Sequence, residues 1–159
     1  MKVLVLGMDN TGKTTLCEYL RDKQDFRLIK SCGPNKSKEQ MEKYIYENLT
    51  KDGYLVFERF CFFEEMVYGS ILRGESKFTF SDDIFQFILE SGSKIIYCRP
   101  DIETIKNWKN REQMEGVIEK ADELIEKWDK VINKARKRGM KVIKYNYKKD
   151  DMSEVISEL

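Results

Sequence analysis

A chain of 159 residues is the length of one domain and is long enough to bury one hydrophobic core. Hydrophobic residues make up 41% and charged residues 36%, which excludes a disordered chain and points to a globular one. The net charge of +1, from 29 Lys and Arg against 28 Asp and Glu, excludes a global electrostatic pull toward nucleic acid or membrane as the main theme. It leaves a local basic site open.

Residues 3–6 are a short apolar run ending at Gly7, which suits a strand buried on both faces. A helix is expected from about residue 12 to residue 21, and residues 26–29 read as a second strand. Ser37-Lys38-Glu39-Gln40 has capping-box spacing and opens a helix that places Met41, Tyr44, Ile45 and Leu49 on one face. Asp52-Gly53 stops that helix, and residues 54–57 form a third strand. Residues 60–73 read as one aromatic-rich helix. Ser81 is the expected cap of a helix with Ile84, Phe87 and Ile88 on one face. Residues 95–98 make a fourth strand, ended by Arg99-Pro100.

Residues 106–116 have neither a clear period nor apolar content and carry Lys106, Lys109 and Arg111, which suits a mobile basic loop. From Val117 onward, Ala121, Leu124, Ile125, Trp128, Val131, Ile132 and Ala135 keep helical period, and Lys137-Arg138-Gly139 ends the run with basic residues and a terminal glycine. Residues 142–145 are a fifth strand. A short helix with Met152, Val155, Ile156 and Leu159 on one face closes the chain. Strand–helix alternation predicts an α/β fold around a parallel sheet, in a single domain spanning residues 1–159.

The four cysteines, Cys17, Cys32, Cys61 and Cys98, form no C-x-x-C pair, and there is no histidine. This removes the usual zinc arrangements and His-based catalysis. No stretch approaches the roughly 20 apolar residues that span a bilayer, and the apolar start is too short for a signal peptide. A soluble cytoplasmic protein with free thiols is the expectation.

The first strand leads directly into Gly7-Met8-Asp9-Asn10-Thr11-Gly12-Lys13-Thr14, and a helix follows, which is the phosphate-binding P-loop pattern in its required context. The glycines bring backbone N–H groups close to phosphate oxygens, and the helix N-terminus adds its positive dipole end. Gly7, Asn10, Thr11, Gly12, Lys13, Thr14 and Thr15 are therefore the candidate ATP-phosphate ligands. Lys13 reaches the terminal phosphates and Thr14 supplies a hydroxyl to Mg²⁺. Glu58-Arg59-Phe60 follows the third strand at the end where open α/β sheets bind ligands. A carboxylate there suits Mg²⁺ or an acceptor proton, and an arginine there suits the charge developing on a transferring phosphoryl group.

Taken together, these residues resemble the thymidylate kinase-like branch of the P-loop nucleoside and nucleotide kinases, in the compact form that phages carry. Asp9 lies two residues after Gly7, Glu58-Arg59-Phe60 is similar to an Asp-Arg-aromatic motif, Val67-Tyr68-Gly69 with Leu72-Arg73-Gly74 is similar to the helix lining the monophosphate site, and Arg111-Glu112-Gln113-Met114-Glu115-Gly116-Val117 is similar to the lid. The resemblance covers about residues 1–147. It implies a three-layer P-loop kinase fold, with a five-stranded parallel sheet flanked by helices and a short lid at about 106–116. It also implies ATP and Mg²⁺ as donor and cofactor, and a deoxynucleoside monophosphate, with dTMP the first choice, as acceptor.

The roles it implies fall on named positions. Lys13 holds the donor phosphates, Arg59 bridges donor and acceptor, Arg111 closes from the lid, and Thr14 and Glu58 serve the metal. Asp9 contacts the acceptor sugar, Arg73 its phosphate, and Tyr68 and Phe60 its base. Lys36 and Ser37, after the second strand, are weaker acceptor ligands, and Arg99 lies on the donor side. For Phe60, Phe62, Phe63 and Tyr68, packing in the core competes with base stacking.

Two residues depart from that pattern. Glu58 stands where the family has Asp, as in deoxynucleoside kinases, where the glutamate is the base on a nucleoside hydroxyl. Glu65 adds a carboxylate near the acceptor that needs an arginine or Mg²⁺ to compensate it. The rival readings are a deoxynucleoside kinase with Glu58 as general base, a GTPase-like switch, and a nucleic-acid 5′-end kinase. The switch lacks its guanine motif, since Asn133-Lys134-Ala135-Arg136 has no aspartate. The neutral charge counts against stable nucleic-acid binding. The aromatic helix after Phe60 offers a face for a homodimer.

Overall fold

The computed structural model describes residues 1–33, 35–107 and 115–159. The elements run β1 (Lys2–Leu6), α1 (Lys13–Lys23), β2 (Arg27–Ile29), α2 (Lys38–Leu49), β3 (Leu55–Glu58), α3 (Cys61–Glu64), a π-helix (Glu65–Arg73), α4 (Asp83–Glu90), β4 (Lys94–Cys98), α5 (Ile102–Ile105), α6 (Ala121–Lys137), β5 (Val142–Tyr145) and α7 (Met152–Ser157). Among the described residues the strands form one parallel sheet of five, in the order β2-β3-β1-β4-β5. This is the predicted α/β architecture.

Alternation along the strands divides the core into two layers. Leu4, Leu6, Phe57, Ile95 and Tyr97 face α2, α3, the π-helix, α4 and α6. Val3, Val5, Val56, Ile96 and Ile143 face the other way, against Leu16, Cys17 and Leu20 of α1 and Val155 of α7. Each fully buried side chain of this size contributes about 1.5–3 kcal/mol relative to exposure. No helix among the described residues is long and apolar enough to cross a membrane.

Local chemistry sets the helix ends. Ser37 caps α2: its hydroxyl accepts from Gln40 N at 3.1 Å, and Gln40 Oε1 accepts from Ser37 N at 2.9 Å. Gly139 follows α6 with φ 104°, as the basic ending followed by glycine predicts. At α4 the cap is Asp82 rather than Ser81, and Asp82 Oδ2 accepts from Thr79 N at 2.7 Å in the turn that leads into the helix. Phe85 takes the buried place on α4, while Phe87 is half-buried against Tyr46. Regular structure in α6 begins at Ala121, four residues after the buried Val117, because the segment through Gly116 (φ 82°) is still turning.

The segment after β3 departs most from expectation. It starts as α-helix but continues from Glu65 as a π-helix, a form in which i→i+5 bonding widens each turn. Gly69 lies inside it. A Cβ there would come within 2.7 Å of Glu65 Oε1, 2.8 Å of Arg73 Nη2 and 2.8 Å of Glu75 O. The glycine is what lets Glu65 and Arg73 reach each other across the helix surface.

Candidate functional site

The phosphate loop is shaped by its backbone. Gly7 (φ 139°) sits so close to β4 that a Cβ would lie 2.4 Å from Cys98 O. Gly12 (φ 85°) caps α1 and would press a Cβ to 3.1 Å from the Tyr147 ring. Neither position accommodates a larger residue without displacing its neighbours. Thr11 is buried and its hydroxyl donates to Met8 O at 2.7 Å, bracing the loop from inside. The Asn10 side chain points out of the loop, donating to Thr104 O at 2.9 Å and Asn107 O at 3.1 Å, so it ties the loop to α5 and leaves phosphate contact to the backbone.

Lys13 is nearly enclosed and its ammonium donates to Met8 O. Burial, with Arg59 close by, pushes that ammonium below the ordinary lysine range. Among the described residues no carboxylate forms an ion pair with this ammonium, which is poised for an anionic ligand. The parallel register Val5↔Glu58 brings the end of β3 beside the loop, where the Thr14 hydroxyl donates to Glu58 Oε1. A hydroxyl and a carboxylate are hard oxygen donors that fit Mg²⁺, which takes one or two protein oxygens and completes its shell with phosphate and water.

Arg59 has φ 68°, a left-handed backbone that costs a residue of this type about 1–3 kcal/mol. Its N–H donates to Val5 O at 3.1 Å. The turn sends the guanidinium back to the loop, where Nη2 pairs with Asp9 Oδ1 and Nη1 lies 3.6 Å from Glu64 Oε2. Asp9, Asn10, Thr11, Gly12, Lys13, Thr14, Thr15, Glu58 and Arg59 thus line one cleft of 710 Å³ at the C-terminal end of the sheet, closed on one side by Tyr145, Tyr147 and Met152. Placement at strand ends and a helix N-terminus suits a polyphosphate.

Other predicted site residues lie outside this cleft. Phe60 is fully buried, edge-to-face on Phe57 at 5.4 Å, so it is core and offers no surface to a base. Phe62 and Phe63 are equally enclosed. Tyr68 is 5% exposed, packs against Trp128 at 6.1 Å and directs its hydroxyl to Met8 Sδ at 3.7 Å, beneath the loop rather than into it. Arg73 pairs with both oxygens of Glu65, at 2.5 and 2.6 Å, and Lys77 N also donates to Glu65. Ser37 is occupied as a helix cap, and Lys36 is exposed. Arg99 forks onto Asp129 at 3.0 and 3.1 Å, in a separate pocket with Tyr97, Asn133 and Lys144. Arg111 lies outside the described residues.

Two contributors have no counterpart in the sequence reading. Tyr147, just past β5, flanks the cleft and lies against Gly12; its place after a C-terminal strand end was the available signal. Glu64 lies beside Arg59, and burial pushes its carboxyl up to about 7 even though Arg59 and Lys13 oppose the shift. A charge directly after the apolar run Cys61-Phe62-Phe63 was the signal for it.

No protein-family model matches the chain, and no curated protein matches it. Solved structures do. YorR from Bacillus subtilis, in complex with phosphorylated GDP, superposes with a TM-score of 0.79 at 18% identity, covering 99% of this chain and 92% of that one. Deoxyadenosine kinase from M. mycoides gives 0.59 at 13% identity, with 99% and 95% covered. Shikimate kinase from Acinetobacter baumannii gives 0.60 at 7% identity, with 99% and 89% covered. The chain therefore has the fold of the P-loop kinases.

Proposed function

We propose that this protein transfers the γ-phosphoryl group of Mg-ATP to a deoxynucleoside monophosphate. The observation that carries the reading is the convergence of Lys13, the Thr14–Glu58 pair and Arg59 on one cleft at the end of the sheet. The loop N–H groups and Lys13 would bind the donor phosphates. Thr14 and Glu58 would hold Mg²⁺, which supplies charge neutralisation at the donor phosphates. Arg59 would meet the transferring group between donor and acceptor, and Asp9 the acceptor sugar. The lid arginine, Arg111, would complete the positive field. A phosphate acceptor is already anionic, so positioning and charge neutralisation suffice without a strong base.

A second reading, phosphorylation of a deoxynucleoside, is favoured by the Glu65–Arg73 pair. The arginine assigned to the acceptor phosphate is already neutralised, and a nucleoside brings no phosphate for it to meet. Glu58 would then serve as base. The experiment is ADP release from Mg-ATP with dTMP, dUMP, dGMP, dAMP, dCMP and the matching nucleosides, with Lys13→Ala as control. Turnover with monophosphates alone supports the first reading, and turnover with nucleosides alone supports the second. ATP binding with no turnover on any acceptor defeats both.

A further inference from the structure

Arg59 is held at both its backbone and its guanidinium. Its backbone is left-handed, its N–H is spent on Val5 O, and its guanidinium is met by carboxylates from two separate elements. Asp9 comes from the phosphate loop. Glu64 comes from the end of α3, a single turn fixed by Phe62 and Phe63, both fully buried. We propose that Glu64 is a positioning residue for the transfer step: with Asp9 it grips the Arg59 guanidinium from two sides and holds it against the phosphate loop.

Glu64 is poorly explained as a stabilising residue. Its Oε1 is buried and has no hydrogen-bond partner among the described residues, and such an atom is costly to the fold. A well-packed apolar side chain would fill that space more favourably. The groups facing the carboxyl are Arg59, Lys13 and Asp9 from the cleft and Tyr68 from the π-helix. Burial outweighs the two cations and raises its pKa, so the fold keeps a carboxylate where carboxylates are disfavoured. Perturbed groups of this kind gather at functional sites. Asp9 alone would leave the guanidinium hinged on one nitrogen, and a misplacement of ~1 Å at a transferring group lowers rate by about a hundredfold.

This role rests on the phosphoryl-transfer reading, and the test separates the two. At pH 8, where the Glu64 carboxyl is ionised, Glu64→Gln keeps shape and removes the charge. With whichever acceptor turns over, kcat falls about tenfold or more while the KM for Mg-ATP stays within about threefold. In an Arg59→Ala background the same substitution costs nothing further, since the residue acts through that arginine. A wild-type kcat in Glu64→Gln, or a loss of equal size with and without Arg59, overturns the proposal. Should no acceptor turn over, the kinase reading fails by itself, and the grip is read from urea unfolding at pH 8 of Glu64→Gln, Arg59→Ala and the double variant. Coupled effects of the two substitutions support the grip, and additive effects overturn it.

Discussion

The hydroxyl of Thr14, in the first turn of α1, donates to Glu58 Oε1 at the end of β3. The two residues are brought together by the pairing of β1 with β3, which sets Glu58 opposite Val5, two residues before the loop begins. If this pair holds Mg²⁺, Thr14→Ala and Glu58→Gln each raise the free Mg²⁺ needed for half-maximal turnover by about 10–100-fold. A magnesium titration at fixed ATP reads the shift. An unchanged midpoint would show the pair to be no more than a bond between a strand end and a helix.

Lys13 is nearly enclosed, and burial disfavours its charged form. Lys13→Met removes that cost and is expected to leave the unliganded fold as stable as before or more so. Wild-type protein at a hundred times its Kd of Mg-ATP gains about 2.7 kcal/mol, or roughly 5–10 °C in Tm, and the variant gains almost none. Melting curves with and without nucleotide check this. An equal ATP-induced shift in both proteins would remove Lys13 from the binding site.

Glu64 gives a pH-dependent signature in stability. Its folded pKa of about 7 lies above the unfolded value of 4.5, so the folded state holds this proton more tightly. Stability from this group is fully present below about pH 4.5 and is lost as pH rises through about 7. Glu64→Gln is therefore more stable than wild type at pH 8, by on the order of 3 kcal/mol, and the advantage vanishes by about pH 4.5. Urea unfolding at several pH values measures it. A variant less stable than wild type at pH 8 would mean that the Arg59 contact outweighs burial.

Gly69 tests the π-helix. Gly69→Ala improves helix propensity by about 0.5–1 kcal/mol, but its Cβ would crowd Glu65, Arg73 and the backbone oxygen of Glu75. Overpacking of this kind costs about 1–3 kcal/mol, so the net effect is destabilising. Denaturant unfolding gives the sign, and a gain in stability would show that the segment relaxes into ordinary α-helix.

Features written in consecutive residues were the legible ones. The phosphate loop is fixed by glycines and a lysine within eight positions, and the parallel sheet follows from apolar runs between helical patterns. The Ser37 capping box is a local signal of the same type. What depends on partners far along the chain was hidden. Arg99 meets Asp129 thirty residues away, and Phe60 reads equally well as core or base platform until Phe57 and Phe63 enclose it. Helical period alone does not distinguish an α-turn from a π-turn, so the sequence showed that Glu65 calls for a compensating arginine but not that Arg73 supplies it across Gly69. Tyr147 lines the cleft, and Glu64 reaches Arg59 at its edge, only because separate elements converge there.

The Glu65–Arg73 pair decides between the two acceptor readings through a single variant. Glu65 is 6% exposed and takes Arg73 and the Lys77 N–H together, whereas the Arg73 side chain is half exposed to solvent. Glu65→Gln keeps an acceptor for these donors but releases a unit of positive charge at the end of the π-helix. If Arg73 faces an acceptor phosphate, the freed charge strengthens binding and the KM for the monophosphate falls by about fivefold, the effect of roughly 1 kcal/mol of added attraction. The fall shrinks as salt is raised, since the arginine is open to solvent. Arg73→Ala moves the KM the other way. For a nucleoside acceptor neither substitution changes the KM by more than about twofold, because an uncharged acceptor gains little from a nearby cation. Acceptor KM values for the two variants at low and high salt separate these cases, and a fall in KM for nucleoside and monophosphate alike would remove Arg73 from both accounts.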